Sequence, residues 1–211
     1  MEMEVFTGSK QGLDHKENED SLLVDKIKKL YALADGATRP DGGKKAGTKA
    51  LTYLEEFFDS ELKAAIEKSN GRLVEDRKRP NIGYTTLTAV AVKGKNIEVA
   101  NVGDSPAYLI RNGKIIMLTV EDRFMGSGSL TQALGQSDIN IHFTKEEIEA
   151  GDYIIMVSDG VTNVLTEDEI LAIVKRHTSV DEICKSILEA AIEEPQEYND
   201  DKTIIVLHVS G

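Results

Sequence analysis

The sequence predicts an α+β fold in which helices pack on the outer faces of antiparallel sheets. Strand-like segments come in consecutive runs and helix-like segments come in pairs, so the regular strand–helix alternation of a parallel sheet is absent. No Pro-, Gly- or Ser-rich linker interrupts the 211 residues, and this length suits one domain over residues 1–211. A Rossmann or barrel fold is therefore not expected.

The first third of the chain combines short strands with one helical pattern. Runs that carry Val, Leu, Ile or Tyr predict strands over residues 3–7, 21–25 and 29–34. Apolar residues then recur at three- and four-residue steps and predict one helix over residues 43–68. The polar and basic segment 70–79 fits either a helix end or a surface loop.

Beyond residue 84 the apolar period shortens to that of strands. Strands are predicted over residues 85–92, 96–102, 107–111, 115–119, 140–143, 152–158 and 203–209. Asn112-Gly113 between two of them is a strong signal for a tight hairpin. Two late helices are predicted because Thr166 with Glu169 and Ser179 with Glu182 have the spacing of capping boxes.

Charge and cysteine content exclude several classes of function. With 25 basic and 37 acidic residues the net charge is −12, which disfavours binding to nucleic acid or an anionic membrane. A single cysteine, Cys184, allows neither an intrachain disulfide nor a cysteine-based zinc site. No signal-peptide pattern and no apolar run near 20 residues is present. These features predict a soluble, cytoplasmic protein.

Acidic residues recur where the predicted strands begin or end. They form five short segments: Asn18-Glu19-Asp20, Asp35-Gly36, Gly103-Asp104-Ser105, Ser158-Asp159-Gly160 and Asn199-Asp200-Asp201. If such carboxylates converge on one rim of a sheet they repel each other, so convergence needs a cation. Oxygen-only ligands select a hard ion, magnesium or manganese. Since a lone Asp-Gly pair is usually only a turn, the argument rests on the ordered set.

The ordered set resembles the metal-dependent protein phosphatases of type 2C, in their compact bacterial form. The resemblance covers residues 5–209. Its motifs are residues 15–21, Asp35-Gly36-Ala37, Gly83-Tyr84-Thr85-Thr86, residues 101–105 and 130–135, Ser158-Asp159-Gly160, and Asp200 with Thr203.

The resemblance implies a four-layer α-β-β-α sandwich of two antiparallel sheets, with two Mg²⁺ or Mn²⁺ ions at one end. The implied metal ligands are Glu19, Asp20, Asp35, Gly36, Asp159 and Asp200. Asp35 would bridge the ions, and Asp35 and Asp159 are the implied catalytic residues. A water that bridges the two metals would act as the nucleophile on phosphoserine or phosphothreonine of a protein substrate.

The chain departs from the family pattern at the phosphate-binding position. His15 stands where the family has an arginine, and we expect His15 to bind the substrate phosphate when it is charged. Lys16 or Arg39 could supply this charge instead. The flap is nearly absent, because only residues 124–129 separate Arg123 from Leu130.

Other departures concern a third metal and the turn acids. Asn163 is neutral, and the second family acid is displaced within residues 118–123, which puts a third metal site in doubt. Asp104 is interpreted as a turn acid and not as a ligand. Ser105 and Ser158 lack a matching base nearby in the sequence, so a serine nucleophile is a weak alternative.

The leading hypothesis is therefore a Mg²⁺- or Mn²⁺-dependent serine/threonine protein phosphatase. One branch opposes a protein kinase on the kinase's substrates. The other resembles the stage II sporulation E type phosphatases, which act on a small anti-anti-sigma-type phosphoprotein, and the short flap and missing arginine favour it. The rival from another class is a catalytically weak binding or regulatory domain, and a weaker one is a structural cation-binding domain.

Overall fold

The computed structural model describes residues 2–38, 41–124, 129–194 and 199–211, which form ten strands and five helices. The strands are β1 (Glu2–Lys10), β2 (Ser21–Asp25), β3 (Leu30–Ala34), β4 (Leu87–Lys93), β5 (Asn96–Val102), β6 (Ala107–Arg111), β7 (Lys114–Met117), β8 (His142–Glu147), β9 (Tyr153–Val157) and β10 (Lys202–Ser210). The helices are α1 (Gly43–Phe57), α2 (Leu62–Asp76), α3 (Asp159–Thr162), α4 (Glu167–Arg176) and α5 (Val180–Glu193).

The strands form two antiparallel five-stranded sheets. The first sheet has the order β1-β10-β9-β6-β7 and the second has the order β2-β3-β4-β5-β8. One apolar cluster combines buried residues of both sheets, a second joins α1 and α2 to the second sheet, and a third joins α4 and α5 to the first sheet. These layers confirm the predicted α-β-β-α sandwich.

The predicted helix over residues 43–68 is wrong in its extent, because two helices replace it. Phe58 has an extended backbone and ends α1, and the Asp59 carboxylate accepts a hydrogen bond from the Ser60 N–H at 2.6 Å. The apolar period runs unbroken across this turn because both helices pack on the same sheet, with Leu54 and Leu62 in one core. Helix α2 continues to Asp76, so most of segment 70–79 is the helix end that was one of two expectations.

Strand β8 shows a second difference between expectation and structure. The strand was predicted over residues 140–143 but spans His142–Glu147, where it pairs with β5 from Asn101↔His142 to Asn96↔Glu147. Its sequence is largely polar because β8 is an edge strand, and charged residues on edge strands discourage pairing with other chains. The hairpin at Asn112-Gly113 is confirmed, with positive φ angles of 52° and 71°.

One of the two predicted capping boxes forms. The hydroxyl of Thr166 accepts from the Glu169 N–H, and the Glu169 carboxylate accepts from the Thr166 N–H. The second box is wrong, because the Ser179 side chain accepts no capping hydrogen bond at the start of α5.

We expect Thr166→Ala to lower the free energy of unfolding by about 1 kcal/mol, the usual cost of losing a side-chain cap. Ser179→Ala is the matched control and should cost less than about 0.5 kcal/mol, since it removes no such cap. Urea denaturation of both variants measures the difference. Equal losses would contradict the structural distinction between the two helix starts.

Within the described residues, no helix combines the length and the apolar character that crossing a bilayer requires.

Candidate active site

The acids at the strand ends meet in one small cleft. Asp35 follows β3, Asp104 follows β5, Asp159 follows β9, and Asp200 precedes β10. These side chains line a cleft of about 170 Å³ together with Gly36, Ala37, Thr38, Thr86 and Leu130. The structure thus brings Asp35, Gly36, Asp159 and Asp200 together, as the sequence predicted.

Asp20 is buried beside the small cleft, whereas Glu19 lies in a neighbouring cleft. Asp20 is 3% exposed, and its Oδ2 accepts a hydrogen bond of 2.9 Å from the Ser158 hydroxyl, directly beside Asp159. Glu19 instead lines a neighbouring cleft of about 480 Å³ that also contains His15, Thr38 and Lys45. The metal-binding role of Glu19 therefore stays a prediction.

The Thr85-Thr86 motif fixes the backbone at Asp35. The Thr86 hydroxyl accepts from the Asp35 N–H at 3.0 Å, and the Asp35 carbonyl accepts from both the Thr86 N–H and the Thr85 hydroxyl. A Cβ at Gly36 would lie 2.3 Å from the Gly43 carbonyl carbon. The motif glycines therefore allow the start of α1 to approach the end of β3.

Ser158 is a structural residue and not a nucleophile. It is fully buried, its hydroxyl donates to Asp20, and the same oxygen accepts from the Thr203 N–H at 2.9 Å. Ser105 is also fully buried and bonds the Thr86 hydroxyl at 2.9 Å. Because neither hydroxyl reaches the cleft, the serine-nucleophile alternative is contradicted.

Asp201 joins the loop that carries Asp20 to the start of β10. It is 2% exposed, and its carboxylate accepts from the Gly12 N–H at 2.7 Å, the Glu19 N–H at 2.7 Å and the His15 ring at 2.6 Å. The sequence showed the Asp200-Asp201 pair, but alternation at a strand start does not reveal which acid faces inward. Sequence reasoning assigned Asp200 and missed Asp201.

His15 lies between two carboxylates. Its side chain is 4% exposed, with Nδ1 2.6 Å from Asp201 and Nε2 3.4 Å from Asp200. Burial lowers the pKa of His15, but the hydrogen bond and the charge of Asp201, with Asp200 and Glu19, outweigh this and raise the pKa overall. Nε2 also lies 3.3 Å from the Thr38 hydroxyl. Phosphate binding by His15 stays a prediction and requires Nε2 to contact a phosphate oxygen instead of these two partners.

The structure describes one of the two alternatives to His15 for phosphate binding. Lys16 lines the larger cleft beside His15, and Arg39 lies outside the described residues.

His15, Asp200 and Asp201 also form a compact group of potential metal ligands. Among the described residues, no other group of His, Cys, Asp or Glu has candidate ligand atoms that all lie within 4.8 Å of one another.

Asp122, Asn163 and the turn acid Asp104 lie in different places around the cleft. Asp122 lies outside the small cleft, where it accepts from the Gly103 N–H at 2.9 Å and contacts His142 at 2.8 Å. Asp104, interpreted as only a turn acid, lines the cleft itself and is paired with Arg123 at 3.0 Å. Its interpretation as an acid that does not bind metal stays a prediction. Asn163 donates to Oδ2 of Asp159 at 3.2 Å.

The electrostatics of the cleft fit a divalent cation. Burial raises the pKa of Asp35 well above its usual range, and the charges of Asp20 and Asp159 add to the rise. Burial likewise raises the pKa of Asp104 to about 7 and of Asp200 to about 6, with the charge of Asp159 contributing to both. Oδ1 of Asp20 is buried without a hydrogen-bond partner. Bound cations would offset the repulsion between these carboxylates and would give the buried Oδ1 of Asp20 a partner.

The chain is similar to a known family over most of its length. The model of the family described as "Stage II sporulation protein E (SpoIIE)" matches residues 47–210. The chain belongs to the SpoIIE family. This match agrees with the expected stage II sporulation E branch and includes the segments that carry Asp104, Asp159 and Asp200.

Relatives and solved structures confirm the resemblance to type 2C phosphatases. The serine/threonine protein phosphatase PstP of Mycobacterium tuberculosis is 28% identical over 192 residues, and the match covers 77% of this chain and 37% of that protein. The probable protein phosphatase 2C 28 of Arabidopsis thaliana is 25% identical, with 77% and 59% covered. A crystal structure of the PstP catalytic domain in complex with two manganese ions superposes with a TM-score of 0.86 at 26% identity, over 99% of both chains. The chain thus spans about two fifths of the length of its curated mycobacterial relative.

Proposed function

We propose that this chain is a metal-dependent phosphatase that removes phosphate from serine or threonine of a protein substrate. The observation that carries the proposal is the convergence of Asp35, Asp159 and Asp200 in one small cleft beside Asp20. The phosphatase names of the relatives support it, as does the manganese-bound PstP structure.

The residues that would hold the two Mg²⁺ or Mn²⁺ ions are those that line or adjoin the cleft. We assign Asp35, Gly36, Asp159 and Asp200 from the cleft itself, the buried Asp20 beside it, and Glu19 from the adjoining larger cleft. When bound, the ions would activate water and offset the charge of the carboxylates and the phosphoryl group. Asp35 and Asp159 are the proposed catalytic residues, since each presents a carboxylate to the cleft from a backbone fixed at a strand end.

The substrate class follows from the short flap. Residues 1–211 constitute one catalytic domain in this proposal. In the sequence only residues 124–129 separate Arg123 from Leu130, which is short for a lid that selects small molecules, and residues 125–128 lie outside the described ranges. The adjoining larger cleft is lined by three lysines, Lys16, Lys44 and Lys45, and by four acids, so its charge does not select the substrate and the proposal rests on the short flap. We propose a folded cytoplasmic phosphoprotein of the anti-anti-sigma kind as substrate, with the substrates of a protein kinase as the other branch.

The test compares one phosphoserine in a folded domain and in an unfolded peptide of the same sequence. In Mn²⁺, we expect kcat/KM to be at least about tenfold higher for the folded domain, since a preformed surface adds contacts. Chelator should abolish both reactions. Asp159→Asn should remove turnover, whereas Asp168→Asn, on the exposed start of α4, should leave it unchanged.

The regulatory-domain alternative has one observation in its favour, which is the engagement of His15 by Asp200 and Asp201. It predicts that the wild type binds Mn²⁺ but hydrolyses phosphopeptide no faster than Asp159→Asn. A wild-type rate that exceeds the rate of Asp159→Asn by about a hundredfold or more would exclude it.

A further inference from the structure

Arg123 pairs with two acids that line the candidate cleft. Its guanidinium Nη2 is 3.0 Å from Oδ2 of Asp104 and 3.5 Å from Oδ2 of Asp159, so one nitrogen lies between two carboxylates. Asn163 donates to the same oxygen of Asp159 at 3.2 Å. Arg123 does not line the cleft, whereas both of its acidic partners do.

Asp104 depends on this arginine for its charge balance. The Asp104 side chain is 4% exposed, and Arg123 is its one ion-pair partner within the described ranges. A buried carboxylate that loses its partner has either to take up a proton or to attract another cation. Burial raises the pKa of Asp104 to about 7 even though the charge of Arg123 lowers it, so the ionised form of Asp104 is only weakly stabilised.

The backbone holds Arg123 in this place. Arg123 forms a β-bridge with Leu130, and the neighbouring Asp122 N–H donates to the Gly103 carbonyl at 3.0 Å, beside Asp104. Nε of Arg123 is buried without a hydrogen-bond partner. Since an unpaired buried donor is costly, the interaction of Nη2 with the two acids has to offset that cost.

We propose that Arg123 is a fixed counter-ion that occupies the position between Asp104 and Asp159 and excludes a further divalent ion from that pair. It is a positioning residue, because it acts through Asp159 and does not reach the cleft. The inference rests on the proposed metal centre. It implies that the chain binds two divalent ions and would bind one more if the guanidinium were removed.

The test is a manganese titration by calorimetry on the wild type and on Arg123→Ala, with circular dichroism to verify folding. We expect one additional Mn²⁺ per chain in Arg123→Ala. Arg111→Ala is the matched control, because Arg111 pairs with Asp152 outside the cleft and both pairs have nearly the same exposure, 25% for the arginine with 3% or 4% for the acid. Its stoichiometry should equal that of the wild type, although it also loses a buried pair.

Two further variants keep the test decisive. If Arg123→Ala does not fold, Arg123→Gln removes the charge while it retains most of the volume, and its expected result is the same. Asp104→Asn combined with Arg123→Gln should return the stoichiometry to two. Two ions in the wild type and the same two in the Arg123 variants would overturn this inference alone, whereas no Mn²⁺ binding by the wild type would overturn the proposed function as well.

Discussion

Replacing Asp35 with asparagine should reduce Mn²⁺-dependent hydrolysis of a phosphopeptide by far more than a hundredfold. Residues that only orient a metal ligand typically cost 10- to 100-fold, and Asp35 is proposed as the ligand shared by both ions. The wild type should also gain about 2.7 kcal/mol of stability per ion at a hundredfold excess over Kd, and this gain should be nearly absent in Asp35→Asn. Thermal melts with and without Mn²⁺ measure it, as a rise of roughly 5–10 °C per ion.

In chelator the same substitution should stabilise the protein. Burial and the charge of Asp20 raise the pKa of Asp35, so its ionised form disfavours the folded state. The contribution of the cleft acids to the stability of the metal-free wild type should therefore be largest below about pH 4 and fall as pH rises towards their raised pKa values. Asp35→Asn should lose less over that range. A variant less stable than the wild type in chelator at pH 8 would contradict the crowding of charge in the cleft.

Replacing Asp201 with alanine should have the largest effect on stability. The change leaves the Gly12 and Glu19 N–H groups and the His15 ring without their buried acceptor. Breaking a buried charged pair costs about 3–5 kcal/mol, which is a melting-temperature loss of roughly 10 °C for a chain of this size. Mn²⁺ affinity should fall as well, because the loop before β2 then no longer holds Asp20.

Asp25→Ala is the matched control for this variant. Asp25 also accepts from two backbone N–H groups, those of Ile27 and Lys28 at 2.9 Å, but both hydrogen bonds are exposed to solvent. Its loss should cost less than about 1 kcal/mol and leave Mn²⁺ affinity unchanged. A similar stability loss in both variants would show that the burial of Asp201 is not the cause.

The layered fold followed from the sequence wherever apolar residues mark a buried face. Strands such as β3 and β9 are continuous apolar runs because both of their faces are covered. The sequence did not reveal the turn at Asp59, because the apolar period continues across it. It misplaced strand β8, because this edge strand buries too little surface to produce an apolar pattern.

The candidate site was predictable where a residue type carries the chemistry. Asp35, Asp159 and Asp200 stand in family motifs next to strand ends, so their convergence could be expected. Asp201 and Arg123 could not be expected to matter, since their roles arise from contacts between segments far apart in the chain, such as Asp201 with Gly12 and Arg123 with Asp104. The same holds for the enclosure of His15, which depends on how the loop before β2 packs on the start of β10.

The most direct test of the central claim is anomalous diffraction from crystals of this chain grown with Mn²⁺. The proposal predicts two manganese peaks at the cleft, with Asp35 a ligand of both, Asp159 and Asp200 bound to one, and Asp20 on the side of the other. A single peak among His15, Asp200 and Asp201 with none at Asp35, or no peak at all, would contradict it.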